Sequence, residues 1–136
     1  MLATNERDHA WMDEGINLYH ERRYSRLFYP DVFDRELPPF FRKYSRMGMA
    51  LATYLAFARI DRDEVSDQPV ENQHVAAYWI GAYVKPPLAL EQLEAYVGQS
   101  RLDAAIQAYF RQWQGKHPRP EDFRQVLEQA LGQSLG

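Results

Sequence analysis

The stretch from His9 to Tyr24, HAWMDEGINLYHERRY, holds the residues of this chain whose types and spacing come closest to a reactive site. His20-Glu21-Arg22-Arg23-Tyr24 nearly spells HExxH. In that motif two histidines one helical turn apart reach one zinc ion, and the Glu between them serves as general base. Here Tyr24 stands where the second histidine belongs, so the zinc motif is rejected and the segment reads as a solvated helix face. His9 and Asp13 also stand four apart, but two ligands do not make a metal site. Glu14 carries more information. An acid in the first turn of a helix is favoured by the helix dipole, by a few tenths of a kcal/mol up to ~1, with no function required. Gly15 beside it costs about 1 kcal/mol relative to Ala inside a helix. Close approach of another backbone or of a ligand is one reason to keep a glycine there. Trp11 reads most simply as a core residue.

Helices must position these groups. Apolar spacing predicts a first helix from about Trp11 to Phe28, ending before Pro30. Pro38-Pro39 opens a second helical region, in which Met47, Leu51, Tyr54, Leu55 and Ala58 form an apolar stripe. An acidic loop at about 60–72 follows and is the best candidate for a mobile excursion. Val75, Tyr78, Trp79 and Ala82 mark a short helix, which Lys85-Pro86-Pro87 is expected to interrupt. A fresh helix then runs from Pro86 to about Val97 and stops at Gly98. Ser100-Arg101-Leu102-Asp103 has the capping-box pattern for the next helix, whose buried face is Leu102, Ile106, Tyr109, Phe110 and Trp113. After a turn at Lys116 to Pro120, the last helix buries Phe123, Val126, Leu127, Ala130 and Leu131 and ends at Gly132. No stretch alternates as a strand would. The expected fold is all-α, an irregular bundle of about five to six helices in a single domain over 1–136.

Bulk properties narrow the function classes. At 46% hydrophobic and 26% charged, the composition is that of a folded domain rather than a disordered chain. A net charge of −3 with dispersed arginines argues against nucleic acid as partner. No apolar run is long enough for a membrane span, and no basic region followed by an apolar segment marks a signal peptide. The absence of cysteine excludes disulfides and thiolate zinc sites but leaves localisation open. Aromatic residues make up 14% of the chain, enough to expect some of them at an interface.

Three separated stretches resemble one family. NERDHAWMDEGINLYHE (5–21) is similar to the segment that follows HExxH in zinc aminopeptidases of the aminopeptidase N family, the gluzincins, in which a Trp-x-[Asn/Asp]-Glu-Gly cluster supplies the third zinc ligand. AYVKPPLALEQLEAYVG (82–98) resembles the family's Tyr-x-Lys-Gly helix. The segment from Leu102 to Leu135 resembles its His-Pro-x-x-x-Asp-Phe region. The resemblance implies that Glu14 is the third zinc ligand and that Tyr83 hydrogen-bonds the oxyanion of the tetrahedral intermediate. It also implies that Tyr78 is a second active-site tyrosine. The implied fold is the helical subdomain of a thermolysin-like metallopeptidase catalytic domain. The departures are as informative. The histidines His9, His20, His74 and His117 form no HExxH, the family's Gly-x-Met-x-Asn stretch is absent, and Pro86 replaces the usual Gly after the Lys.

By the family's spacing both histidine ligands lie upstream of Met1, which reads as an internal methionine or a misplaced gene start. The chain is therefore expected to be the helical back part of a peptidase that acts on peptide substrates. Alone it is expected to be inactive and without bound zinc, its partner being the missing N-terminal half of the catalytic domain. An exposed aromatic or apolar patch near Trp11, Tyr78 and Tyr83, and self-association through it, are further expectations. The alternative is a non-catalytic helical protein-interaction module. An in-frame HExxH in the DNA upstream of Met1 separates the two.

Overall fold

The computed structural model describes residues 2–29 and 46–135, with 46 and 47 described by backbone alone. The first helix, α1 (Ala10–Phe28), starts one residue earlier than its apolar spacing suggests and ends where expected. Next come α2 (Arg46–Arg59) and a 3-10 turn at Val70–Asn72. The remaining α-helices are α3 (Val75–Trp79), α4 (Lys85–Val97), α5 (Gln99–Trp113) and α6 (Pro120–Leu131). There is no strand among the described residues, and the fold is all-α. No helix among them is long and apolar enough to cross a membrane. The expected Pro38-Pro39 helix opening lies outside the described residues.

The core lies where α1, α4, α5 and α6 meet. Met12 and Tyr19 of α1, Leu90 and Val97 of α4, Leu102, Ala105 and Tyr109 of α5, and Phe123, Val126, Leu127 and Leu131 of α6 form one buried cluster. Ile106 and Trp113 pack against its edge, as the spacing predicted. Phe110 does not: it is largely exposed. A step of one residue from buried Tyr109 turns about 100° around a helix of about 3.6 residues per turn, which carries Phe110 off the seam. Ala130 is likewise exposed beside buried Leu131.

Two expected breaks and caps turn out differently. Lys85-Pro86-Pro87 does not interrupt the helix. Between α3 and α4 the chain stays helical through a π-turn, Ile80–Val84, in which the Lys85 N–H donates to the Ile80 carbonyl five residues back. The wider turn lies immediately ahead of the prolines, so Pro86 and Pro87 occupy the first turn of α4. There a missing N–H costs nothing in hydrogen bonding. The Ser100–Asp103 capping box is also absent. Gly98, at φ +90°, both ends α4 and caps α5 without a side-chain bond, a backbone conformation that glycine reaches most readily. Asp103 is engaged elsewhere.

Its partner is Arg23, which corrects the reading of HERRY as a solvated face. His20, Glu21 and Tyr24 are exposed, whereas Arg22 and Arg23 are mostly covered by α4 and α5. Arg23 Nη2 donates to Asp103 Oδ2 at 3.0 Å, and its Nη1 donates to Oδ1. Arg23 also lies 3.6 Å from Glu94, which accepts the hydroxyl of buried Tyr19. Arg22 and Arg26 flank the buried carboxylate of Glu91 at 3.8 and 3.5 Å. These pairs fix α1 rotationally on α4 and α5.

The Arg23 guanidinium holds the Asp103 carboxyl below its usual range. A depressed folded-state pKa contributes stability that is present above the unfolded value of about 4 and is lost as pH falls through the folded value. Arg23→Met keeps the stem but leaves Asp103 and Glu94 without their cation. It is expected to cost about 2 kcal/mol at pH 7, the partial exposure of Asp103 tempering the cost of breaking a buried pair. Urea unfolding should also show a smaller stability loss between pH 5 and pH 3 for the variant than for the parent. An equal loss would remove the pair from the acid response.

The acidic loop is pinned rather than free of the domain. Lys85 Nζ donates to Asp63 Oδ1 and to the Glu64 carbonyl, each at 2.8 Å. The Val70 N–H donates to the Arg7 carbonyl. Lys85 also lies 5.9 Å from the ring centre of Tyr54. Tyr54 of the expected α2 stripe is half-buried, whereas Leu51, Leu55 and Ala58 are exposed.

Candidate active site

Because α1 starts at Ala10, its first-turn acid is Asp13 and Glu14 opens the second turn. The dipole effect fades within the first turn, so it accounts poorly for Glu14. What surrounds Glu14 is the π-turn. The Tyr83 hydroxyl lies close to the Glu14 carboxylate and to Tyr78, and these neighbours, Glu14 first, raise the phenol's pKa above its ordinary range. An anionic acceptor stabilises the protonated phenol, so Tyr83 stays a hydrogen-bond donor at neutral pH. The rings of Tyr78 and Tyr83 meet edge to face at 6.0 Å, and Trp79 lies against Tyr83 at 4.6 Å. Residues five apart on a regular α-helix of about 3.6 residues per turn point about 140° away from each other. The i to i+5 bonding of a π-turn returns them to one face. The three residues proposed from the sequence, Glu14, Tyr78 and Tyr83, are thus brought together.

Glu14 and Tyr78 also line a cavity of about 400 Å³ with Glu6, Arg7, Ala10, Val70 and Glu71. Trp79 and Val75 are exposed, whereas Trp11, Tyr78 and Tyr83 are half-buried. The other large exposed apolar side chains include Met49, Leu51 and Leu55 of α2 and Leu27 and Phe28 at the end of α1. The expected patch is therefore only partly on the tyrosine face.

His9 and Asp13 do not form a pair. His9 Nδ1 bonds to Asp67 Oδ1 at 2.7 Å, and Trp11 Nε1 donates to the same oxygen at 3.0 Å. Asp67 thereby anchors the acidic loop beside the α1 N-terminus. Nothing local in the sequence signals this role, since its partners lie far earlier in the chain.

Glu14 is a carboxylate with open space beside it, but no group of three or more His, Cys, Asp or Glu among the described residues is placed to hold a metal. The described residues therefore do not make a closed zinc site.

The model of the peptidase family M1 domain matches residues 2–136. The chain belongs to the peptidase M1 family. That membership makes it a metallopeptidase-related chain, and the match runs through all three elements that build the site, α1, the π-turn and α4. Neither the curated proteins nor the solved structures contain a match to this M1 chain.

Proposed function

We propose that this chain is the helical portion of a zinc metallopeptidase catalytic domain of aminopeptidase type, and that it supplies one metal ligand and one transition-state donor. The observation that carries the reading is the juxtaposition of the Glu14 carboxylate with the Tyr83 hydroxyl. It sets a carboxylate and a protonated phenol side by side although the residues belong to different elements. In the assembled enzyme Glu14 is the third zinc ligand, joined by two histidines of the N-terminal half. Zinc, when bound, supplies Lewis-acid polarisation and an acidified water. Tyr83 donates its hydroxyl proton in a hydrogen bond to the oxyanion formed from the scissile carbonyl. Tyr78 orients that hydroxyl, and the half-buried rings of Tyr78 and Tyr83 limit water access. The subdomain is of the thermolysin-like kind, and peptides are the substrates.

One carboxylate is too few ligands for tight zinc binding. Zinc titrated calorimetrically into this chain alone is expected to give no stoichiometric uptake, and peptide-amide substrates no turnover. Stoichiometric uptake would overturn the assignment of the remaining ligands to a separate half.

A second reading, a non-catalytic helical interaction module, draws on the exposed apolar side chains of α2 and of the α1 C-terminus. Self-association through exposed apolar surface belongs to either reading. A stop codon and ribosome-binding site directly upstream of Met1 would favour the module; an in-frame HExxH would decide for the peptidase.

A further inference from the structure

Gly15 faces the π-turn at a distance no other residue can keep. A Cβ built on Gly15 would lie 2.5 Å from Pro86 Cβ, 2.9 Å from Pro86 Cγ and 3.1 Å from the Ala82 carbonyl oxygen. The proline carbons belong to a rigid ring fixed to the helix, so the clash has no flexible end to yield. Gly15 and Pro86 are both buried. Glu14 precedes Gly15 in α1, and Tyr83 lies one turn before Pro86. The gap between glycine and proline therefore sets how closely α1 approaches the π-turn, and with it whether the Glu14 carboxylate reaches the Tyr83 hydroxyl.

We infer that Gly15 and Pro86 are a matched positioning pair, in which the hydrogen of Gly15 and the ring of Pro86 share one space and hold Glu14 against Tyr83. The contact is defined without reference to catalysis; its importance for turnover rests on the function proposed above. Pro86 fills the gap from the π-turn side and Gly15 yields it from the α1 side. A carbon can be added to α1 only if carbons are removed from residue 86.

The test uses the full chain in four versions: parent, Gly15→Ala, Pro86→Gly and the double variant. The readout is the nuclear Overhauser contact between the Glu14 side chain and the Tyr83 ring. Contacts of Leu102 with Phe123 and other core residues report whether the fold is intact. Gly15→Ala is expected to lose the Glu14–Tyr83 contact while keeping the α5–α6 core, Pro86→Gly to keep it, and the double variant to regain it. If Gly15→Ala fails to fold, the double variant decides: folded with the contact restored supports the pair, and unfolded overturns it. Persistence of the contact in Gly15→Ala would also overturn it. So would its loss in Pro86→Gly alone, because the cause would then lie within the helix rather than in the gap. None of these failures touches the ligand role of Glu14, which stands or falls on zinc retention in the full-length enzyme.

Discussion

Replacing Tyr83 by Phe in the full-length enzyme is expected to lower turnover by on the order of 100-fold or more while zinc stays bound. The substitution deletes one oxygen and leaves the ring that packs on Tyr78 and Trp79, so the fold should be unaffected. Glu14 and Tyr78 beside it favour the protonated phenol, which is the state needed to donate to a developing oxyanion. Donation that strengthens in the transition state acts on kcat more than on KM. Glu14→Ala is the companion experiment. It removes a proposed ligand, so metal content measured after dialysis should fall with activity, whereas Tyr83→Phe should separate the two. Full activity in Tyr83→Phe would remove Tyr83 from the chemistry, and retained zinc in Glu14→Ala would remove Glu14 from the metal site.

Phe123→Ala is expected to cost about 3–5 kcal/mol, a large share of the stability of a domain this size. Phe123 is the hinge of the aromatic core. It meets Tyr109 edge to face at 4.8 Å and Trp11 at 6.1 Å, and so ties α6 to both α5 and the head of α1. Truncation leaves a cavity walled by rigid rings that cannot collapse into it. Chemical denaturation should show a lower midpoint with an unchanged slope. A useful contrast is Tyr109→Phe. The Tyr109 hydroxyl is buried without a hydrogen-bond partner among the described residues, and burial raises its pKa. Removing an oxygen that makes no bond should be neutral or slightly stabilising. A cost below 1 kcal/mol for Phe123→Ala would show that α6 does not depend on this contact.

How much of this was legible beforehand differs residue by residue. The apolar spacing of Leu102, Ile106, Tyr109 and Trp113, and of Phe123, Val126, Leu127 and Leu131, placed α5 and α6 on the core correctly. Their periods are regular, and no proline or buried charge competes with them. Gly15 stands out in the sequence because glycine weakens a helix unless something approaches closely, and the structure supplies Pro86. The arginines of HERRY misled in the other direction. Charge alone suggested solvent, yet Arg22 and Arg23 meet carboxylates of α4 and α5. A charged side chain buries only when its counter-ion arrives, and those counter-ions lie far along the sequence.

The prolines teach the same lesson about hydrogen bonding. Lys85-Pro86-Pro87 lacks two N–H donors, which locally predicts a break. The π-turn shifts bonding by one residue and keeps the helix running, at the position where it also turns Tyr83 toward Tyr78. By itself, then, the amino-acid sequence determined what is short-range: the helical periods, the glycine stop at Gly98, and the family motifs that single out Glu14, Tyr78 and Tyr83. Only the tertiary structure decided that the helix survives its prolines, that Asp67 and Lys85 pin the acidic loop, and that Glu14 meets Tyr83. The physical reason is range. Periodicity and capping act over about four residues, whereas the meeting of Glu14 and Tyr83 depends on how closely two helices distant in sequence can pack.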